Sequence, residues 1–269
     1  MSIITHLNVE VTRCCNQRCF YCFNESAAGL DHTPHEPSRW LRLLVELRAQ
    51  GLRSVHLTGG EPFSWWGTVE LLQGAQALRL STSILSNGYR IPRLIAQDPE
   101  PFSRLRVAQI SLDAITPDVH DARRGLHGAW IAAQQAIHAL HTLRVPVEIS
   151  AVVSDSNLEQ VLPLASYCAD LGAKLLIRPL LTLGRASRHS STEDWNVALH
   201  EILDHVTATW PGILISDAFA YLPQPQGLGC EAPARGVATV HCEGLLRSDT
   251  AEMLRLPESH FLGVLCTTQ

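Results

Sequence analysis

Two hydrophobic periods alternate along the first two thirds of the chain. Short, largely apolar runs occur at 5–11 (THLNVEV), 53–58 (RSVHLT), 81–86 (STSILS), 106–113 (RVAQISLD), 147–153 (VEISAVV) and 173–181 (AKLLIRPLL). Such runs fit parallel strands covered on both faces. Between them apolar residues recur at helical spacing: Trp40, Leu41, Leu44, Val45 and Leu47; Ala133, Ala136, Ile137 and Leu140; Leu158, Val161, Leu162, Ala165 and Ala169. Gly51, Gly88 and Gly172 fall where a helix or turn must stop. Six strand–helix units predict a parallel α/β array, open or barrel-like, and periodicity alone does not choose between the two. In either form, functional loops gather at the C-terminal ends of the strands.

After Gly184 the pattern changes. A helix is expected over 193–209 and a short strand over 212–216 (GILIS). A Pro- and Gly-rich loop, LPQPQGLGCEAP, follows, and then a hairpin from 236–241 and 244–246. This tail is too small for a second core and is expected to pack on the open side of the array. The chain therefore divides into a core at 1–185 and an extension at 186–269.

Composition narrows the classes. Of 269 residues 46% are hydrophobic, enough for a sizeable core. A net charge of −5 and a pI near 6.2 argue against a nucleic-acid partner. No apolar run reaches membrane-spanning length, and no signal-peptide layout opens the chain. Eight cysteines without a secretory signal point to a reducing cytoplasm. The first strand starts so early that no separate leader-peptide-binding domain is expected before it. Oligomeric state is unreadable.

The chemistry begins in VTRCCNQRCFYCFNES, where Cys15, Cys19 and Cys22 are spaced Cys-x3-Cys-x2-Cys directly after the first strand. Three thiolates on one loop suit a metal centre. Three ligands on a four-iron cube leave one iron open to bind a small molecule, as in an open zinc site. A zinc site usually wants four ligands, and no second Cys-x2-Cys pair exists to supply them. Cys14 leaves an ambiguity of register, since it would give Cys-x4-Cys.

Further motifs close the strands. LTGGEP (57–62) ends the second: Gly59 and Gly60 let a backbone approach closely, and Glu61 offers a carboxylate to a ligand ammonium. Taken alone it is a tight turn. ILSNGY (84–89) ends the third, with Ser86 and Asn87 either facing a ligand or forming an Asn-Gly turn. ISLDAITPDVHDARRG (110–125) ends the fourth and offers Ser111, Asp113 and Arg123, with Arg124 competing for the role of carboxylate binder. The plainer alternative is a helix start at Thr116-Pro117 with a solvated Asp–Arg surface. VVSDSN (152–157) and IRPLLTLGRA (177–186) follow, the latter with Arg178, either a ligand contact or a helix-to-sheet salt bridge.

Taken in this order, these motifs resemble the radical S-adenosylmethionine (radical SAM) enzymes over about residues 5–186. The resemblance implies a partial (β/α)6 TIM-like barrel with a short C-terminal extension of the SPASM/twitch type. It implies a [4Fe-4S] cluster on Cys15, Cys19 and Cys22, and S-adenosyl-L-methionine held by Gly59, Gly60, Glu61, Ser86, Asn87, Ser111, Asp113, Arg123 and Arg178. It implies a 5′-deoxyadenosyl radical that takes hydrogen from a peptide or small natural product, ending in epimerisation, dehydrogenation or cross-linking. An electron donor such as flavodoxin or ferredoxin would be needed. The tail departs from the SPASM pattern: Asp249 stands where a cysteine five residues after Gly244 is expected, and no Cys-x2-Cys pair occurs. Cys230, Cys242 and Cys266 leave three options: one auxiliary cluster, inert thiols, or a hydrogen donor to a substrate radical, for which Cys230 and Cys242 come first. A non-catalytic iron–sulfur or zinc protein is the alternative. It leaves the GGEP and SLD segments without roles. Histidines 6, 56, 127, 138 and 141 lack ligand spacing and read as structural or surface residues.

Overall fold

Six strands lie side by side in chain order: β1 (His6–Glu10), β2 (Ser54–Thr58), β3 (Ser81–Ser86), β4 (Val107–Ser111), β5 (Val147–Val153) and β6 (Lys174–Pro179). All neighbours are parallel. This computed structural model describes residues 4–30, 35–180, 183–188, 193–210, 212–215, 237–241 and 246–247. Helices α1 (Pro37–Ala49), α2 (Thr68–Ala77), α3 (Ile91–Gln97), α4 (Glu100–Ser103), α5 (Pro117–Arg124), α6 (Ala129–Thr142) and α7 (Val161–Leu171) return the chain between strands. The expected (β/α)6 order is therefore observed. The extension contributes α8 (Glu193–Thr209), β7 (Ile213–Ile215), β8 (Val237–His241) and β9 (Leu246–Arg247). It does not simply cover the open side. β7 joins β6 in parallel, β8 joins β1 in parallel, and β9 pairs antiparallel with β8 as the expected hairpin.

The core lies between the sheet and the helices. Alternate residues of each strand point into it: Leu7 and Val9, Val55 and Leu57, Ala108 and Ile110, Leu175 and Ile177. In α6 the buried positions Ala133, Ala136, Ile137 and Leu140 are those read from the sequence. Two helices are rotated from expectation. Pro37 at the start of α1 sets a phase that buries Trp40, Leu43, Leu44 and Leu47 and leaves Val45 52% exposed. In α7 Val161, Leu164, Ala165 and Cys168 face inward, while Leu162 and Ala169 face out. In α1 an unbroken apolar run (Leu43, Leu44, Val45) blurred the edge of the stripe.

The opposite residues of the same strands face a concave surface, and it is polar. Asn8, His56, Ser83, Gln109, Glu148 and Arg178 stand there. The sheet thus packs helices on its apolar face and keeps its concave polar face for a ligand.

Candidate active site

The loop from Thr12 to Ala27 follows β1 at the C-terminal end of the sheet and is held on every side. Gly60 N–H donates to Thr12 O (2.6 Å) and Glu61 N–H to Cys14 O (2.9 Å). A Cβ on Gly59 would stand 2.5 Å from Thr12 O, and one on Gly60 2.4 Å from Cys14 O. The two glycines thus admit the cysteine loop's own backbone, a more local reason for GG than approach to a ligand. On another side Arg18 N–H donates to Arg124 O (3.0 Å). On a third, Gly184 (φ +57°) lies so close that a Cβ would stand 2.3 Å from Phe23 O. Arg185 then donates from its backbone to Cys22 O (3.1 Å), from Nε to Cys19 O (2.8 Å) and from Nη2 to Ser26 O (2.6 Å). Arg185 carried no sequence signal beyond its place after a strand.

Cys15, Cys19 and Cys22 are free thiols lining one cavity of about 1090 Å³. Cys14 is not among its lining residues. Each sulfur is approached by N–H donors: Gln17 N (3.4 Å) and Asn87 Nδ2 (3.9 Å) at Cys15, Ser26 N (3.3 Å) at Cys22, and Arg124 Nη1 (4.0 Å) at Cys19. Burial pushes the Cys15 thiol up to about 12, aided by the charges of Glu61, Cys19 and Cys22 and opposed by the Gln17 N–H. Burial raises Cys19 too, against the pull of Arg124. Cys15 and Cys19, buried side by side, do not ionise together unaided; a bound cationic group must hold them as thiolates. Among the described residues no three His, Cys, Asp or Glu side chains converge as one metal ion requires. A cube differs, because each cysteine takes a different iron and the sulfurs stand apart around it. The donor set fits such a cluster.

The strand-end motifs divide. Gly59, Gly60, Ser86, Asn87, Ser111 and Arg178 line the cavity. Asn87 reaches the cysteine loop through Nδ2 to Asn16 Oδ1 (2.8 Å). Arg178 donates Nε to Ser150 Oγ (3.1 Å). Glu61, Asp113 and Arg123 stand behind the wall. Glu61 is fully buried and accepts from Ser86 Oγ (2.8 Å), Asn87 N (2.8 Å) and Phe63 N (3.2 Å). Burial pushes it up to about 7 despite these donors. Asp113 accepts from Tyr21 Oη, from Arg124 Nη2 (3.0 Å) and from Val152 N (3.0 Å), and Arg123 Nε lies 3.8 Å away. Burial works to raise Asp113, but Arg124, Arg123 and His120 outweigh it, and its carboxyl stays below the usual range. Arg123 spends its guanidinium on Ser154 Oγ (2.9 Å), Ser156 Oγ and Val152 O (2.9 Å), beneath Phe20 and Tyr21. Arg124 is the arginine that reaches the cavity.

His6 and His56, read as structural or surface residues, also face the cavity. His56 Nδ1 lies 2.9 Å from Ser83 Oγ, and burial with the charges of Arg178 and Arg106 lowers it to about 4. The alternation on β1 and β2 was the available signal: Asn8 and Glu10, His56 and Thr58 are polar at every second position. Cys230, Cys242 and Cys266 lie outside the described residues.

A parallel half-barrel with three thiols at the C-terminal mouth of a polar cavity defines a cofactor-dependent α/β enzyme fold of the cluster-binding type. The family model described as "Radical SAM superfamily" matches residues 9–168, more than half of the chain, which therefore belongs to that superfamily. The family uses a [4Fe-4S] cluster and SAM. Among curated relatives, the sporulation killing factor maturation protein SkfB of Bacillus subtilis is 29% identical over 66% of this chain and 43% of its own length. The mycofactocin maturase MftC of Mycolicibacterium smegmatis is 29% identical over 86% and 58%. The GTP 3′,8-cyclase of Corynebacterium glutamicum is 33% identical over 68% and 50%. The chain spans about half the length of these relatives. Among solved structures, Streptococcus suis SuiB bound to S-adenosylmethionine gives a TM-score of 0.70 at 17% identity, over 91% of this chain and 60% of that one. The enzyme anSMEcpe with bound AdoMet and Cp18Cys peptide gives 0.64 at 18%, over 98% and 80%. At such identities they show the fold. No helix of the described residues is long and apolar enough to cross a membrane.

Proposed function

We propose that this chain is a peptide-modifying radical SAM enzyme. Supporting the reading most is the convergence of Cys15, Cys19 and Cys22, and not Cys14, on one polar cavity. In this reading the three thiolates carry the cluster, which when bound supplies the electron that cleaves SAM to a hydrogen-abstracting 5′-deoxyadenosyl radical. Gly59, Gly60, Ser86, Asn87, Ser111 and Arg178 take SAM by contact. Glu61, Asp113 and Arg123 act from behind the wall, and Arg124 is the arginine placed to receive a carboxylate. The N–H donors from Gln17, Ser26, Asn87 and Arg124 moderate the negative charge of the sulfurs. Two similar proteins are named for maturation, a third is named a PqqA peptide cyclase, and anSMEcpe was solved with a peptide, which favours a peptide over a small natural product. The boundary between core and extension stays at 185/186. A flavodoxin or ferredoxin supplies the electron.

The test is anaerobic reconstitution with iron and sulfide, then dithionite and SAM. 5′-Deoxyadenosine forms with the wild type and falls to background in Cys15→Ala. Cleavage at the wild-type rate by that variant would overturn the reading. Iron retained by the Cys15/Cys19/Cys22→Ala triple variant would give Cys230, Cys242 and Cys266 an auxiliary cluster. Its absence would leave Cys230 and Cys242 as the hydrogen donors of an epimerase.

A further inference from the structure

The cavity extends well past the cysteine loop, toward the N-terminal ends of the strands, where His6, Ser54, Arg106 and Lys174 line it. Between the two ends most polar side chains are already bonded to one another: His6 to Ser54, His56 to Ser83, Arg178 to Ser150. Glu148 has fewer partners than its burial calls for. It stands on β5, directly across from Gln109 of β4 in the sheet register, and is only 8% exposed. Its carboxylate receives a single hydrogen bond, from Gln109 Nε2 at 3.1 Å, and among the described residues it has no ion pair. Glu61 accepts three hydrogen bonds in the same barrel, and Asp113 accepts three beside two guanidinium groups.

A carboxylate has about four acceptor sites, and burying one almost unpartnered is costly. The neighbouring amide points the same way. Because Gln109 turns its nitrogen to Glu148, its Oε1 is left buried with no partner. Two unsatisfied acceptors therefore sit side by side on the cavity wall. The complementary group is a compact cation carrying several N–H donors. Lys174 lies opposite Glu148 on β6, but its side chain is exposed and makes no ion pair there among the described residues.

We propose that Glu148 and Gln109 form the pocket for a cationic side chain of the substrate, a primary ammonium or a guanidinium. The assignment rests on the peptide-modifying reading above and names the residue class that such a peptide presents at the far end of the cavity.

The test uses the reconstituted holoenzyme with SAM and four capped tripeptides, acetyl-Gly-Xaa-Gly-amide with Xaa Lys, Arg, norleucine or Glu, measured by equilibrium dialysis. The Lys or Arg probe is expected to bind about tenfold tighter than the norleucine probe, the gain of one good charged contact. Glu148→Gln keeps the bond to Gln109 and brings the two within about twofold. Glu148→Asp, which keeps the charge, retains the preference, and Lys174→Gln retains or strengthens it. Equal binding of the Lys and norleucine probes by the wild type, or a preference that survives Glu148→Gln, would overturn the proposal. 5′-Deoxyadenosine formation without peptide, in the same preparations, reports separately on the radical SAM reading. The pocket stands if the preference is present while cleavage fails, and falls if cleavage is normal and the preference absent.

Discussion

The two ends of the cavity treat buried charge in opposite ways. At the cysteine-loop end Asp113 is locked between Tyr21, Arg124, Arg123 and the Val152 N–H, and Glu61 is surrounded by three donors. At the far end Glu148 has one partner. A site that must hold a cofactor in fixed geometry gains from groups satisfied by the protein itself, since nothing then reorganises on binding. A site that waits for a substrate leaves its valences open. Three carboxylates in one barrel thus offer a graded test, and the cysteine loop sets its upper limit.

The largest effect is expected at the loop. In Gly60→Ala the new Cβ meets Cys14 O and the Arg13 carbonyl, backbone atoms that cannot swing aside. Iron bound after reconstitution should fall to a small fraction of wild type. Gly29, with φ +78° and nothing within 4 Å of a built Cβ, is the control. Gly29→Ala should cost about 1 kcal/mol from its left-handed backbone and leave iron content intact. Equal iron loss in both would show that the loop responds to strain in general rather than to its contact with GG.

Next comes Asp113→Asn, which leaves Arg123 and Arg124 buried with no opposing charge. Breaking a buried pair in this way costs about 3–5 kcal/mol, read as a fall in the chemical-denaturation midpoint. A loss under about 1 kcal/mol would mean that the Asp113 network is not the keystone of this end.

Much of this was legible in the sequence, and what was not has physical causes. The six strand–helix units and the place of Cys15, Cys19 and Cys22 just after the first strand follow from period and spacing, which are local; the barrel order and the gathering of Gly59, Ser86 and Ser111 came only from the family resemblance. The division between wall and interior is not local. Whether Asp113 faces a ligand or a guanidinium depends on how α5 docks under β5, and two adjacent arginines read alike until the helix phase turns Arg123 toward Ser154 and Arg124 toward the cavity. The inward polar row was present as alternation on β1 and β2. It was overlooked because strands covered on both faces were expected to be apolar throughout.

Glu61 should show its environment through pH. Its folded value, about 7, lies above the ordinary 4.5, so the native state keeps a proton that the unfolded chain has lost. Its contribution is fully present below about pH 4.5 and is lost as pH rises through 7, on the order of 3 kcal/mol in all. His56 and His120, both lowered to about 4, act in the opposite sense: the unfolded chain takes up protons first, so stability rises with pH through their window. The stability of wild type minus that of Glu61→Gln cancels the histidines. That difference should decrease from pH 4.5 to 7. A difference that grows over this range would mean that the three donors outweigh burial.

Glu148→Gln closes the series with the smallest expected effect, and the sign carries the argument. The amide oxygen of glutamine accepts the same bond from Gln109, and the shape is unchanged. What is removed is a buried charge with no ion pair among the described residues, so little is lost and some desolvation cost is relieved. The expected change is within about 0.5 kcal/mol at neutral pH, on the stabilising side if it is resolved at all. A loss approaching that of Asp113→Asn would show that Glu148 already has a strong partner in the folded chain, and the two ends of the cavity would no longer differ in kind. A neutral result together with weaker binding of the lysine probe would separate the two: carboxylates that hold the barrel together, and one held ready for what enters it.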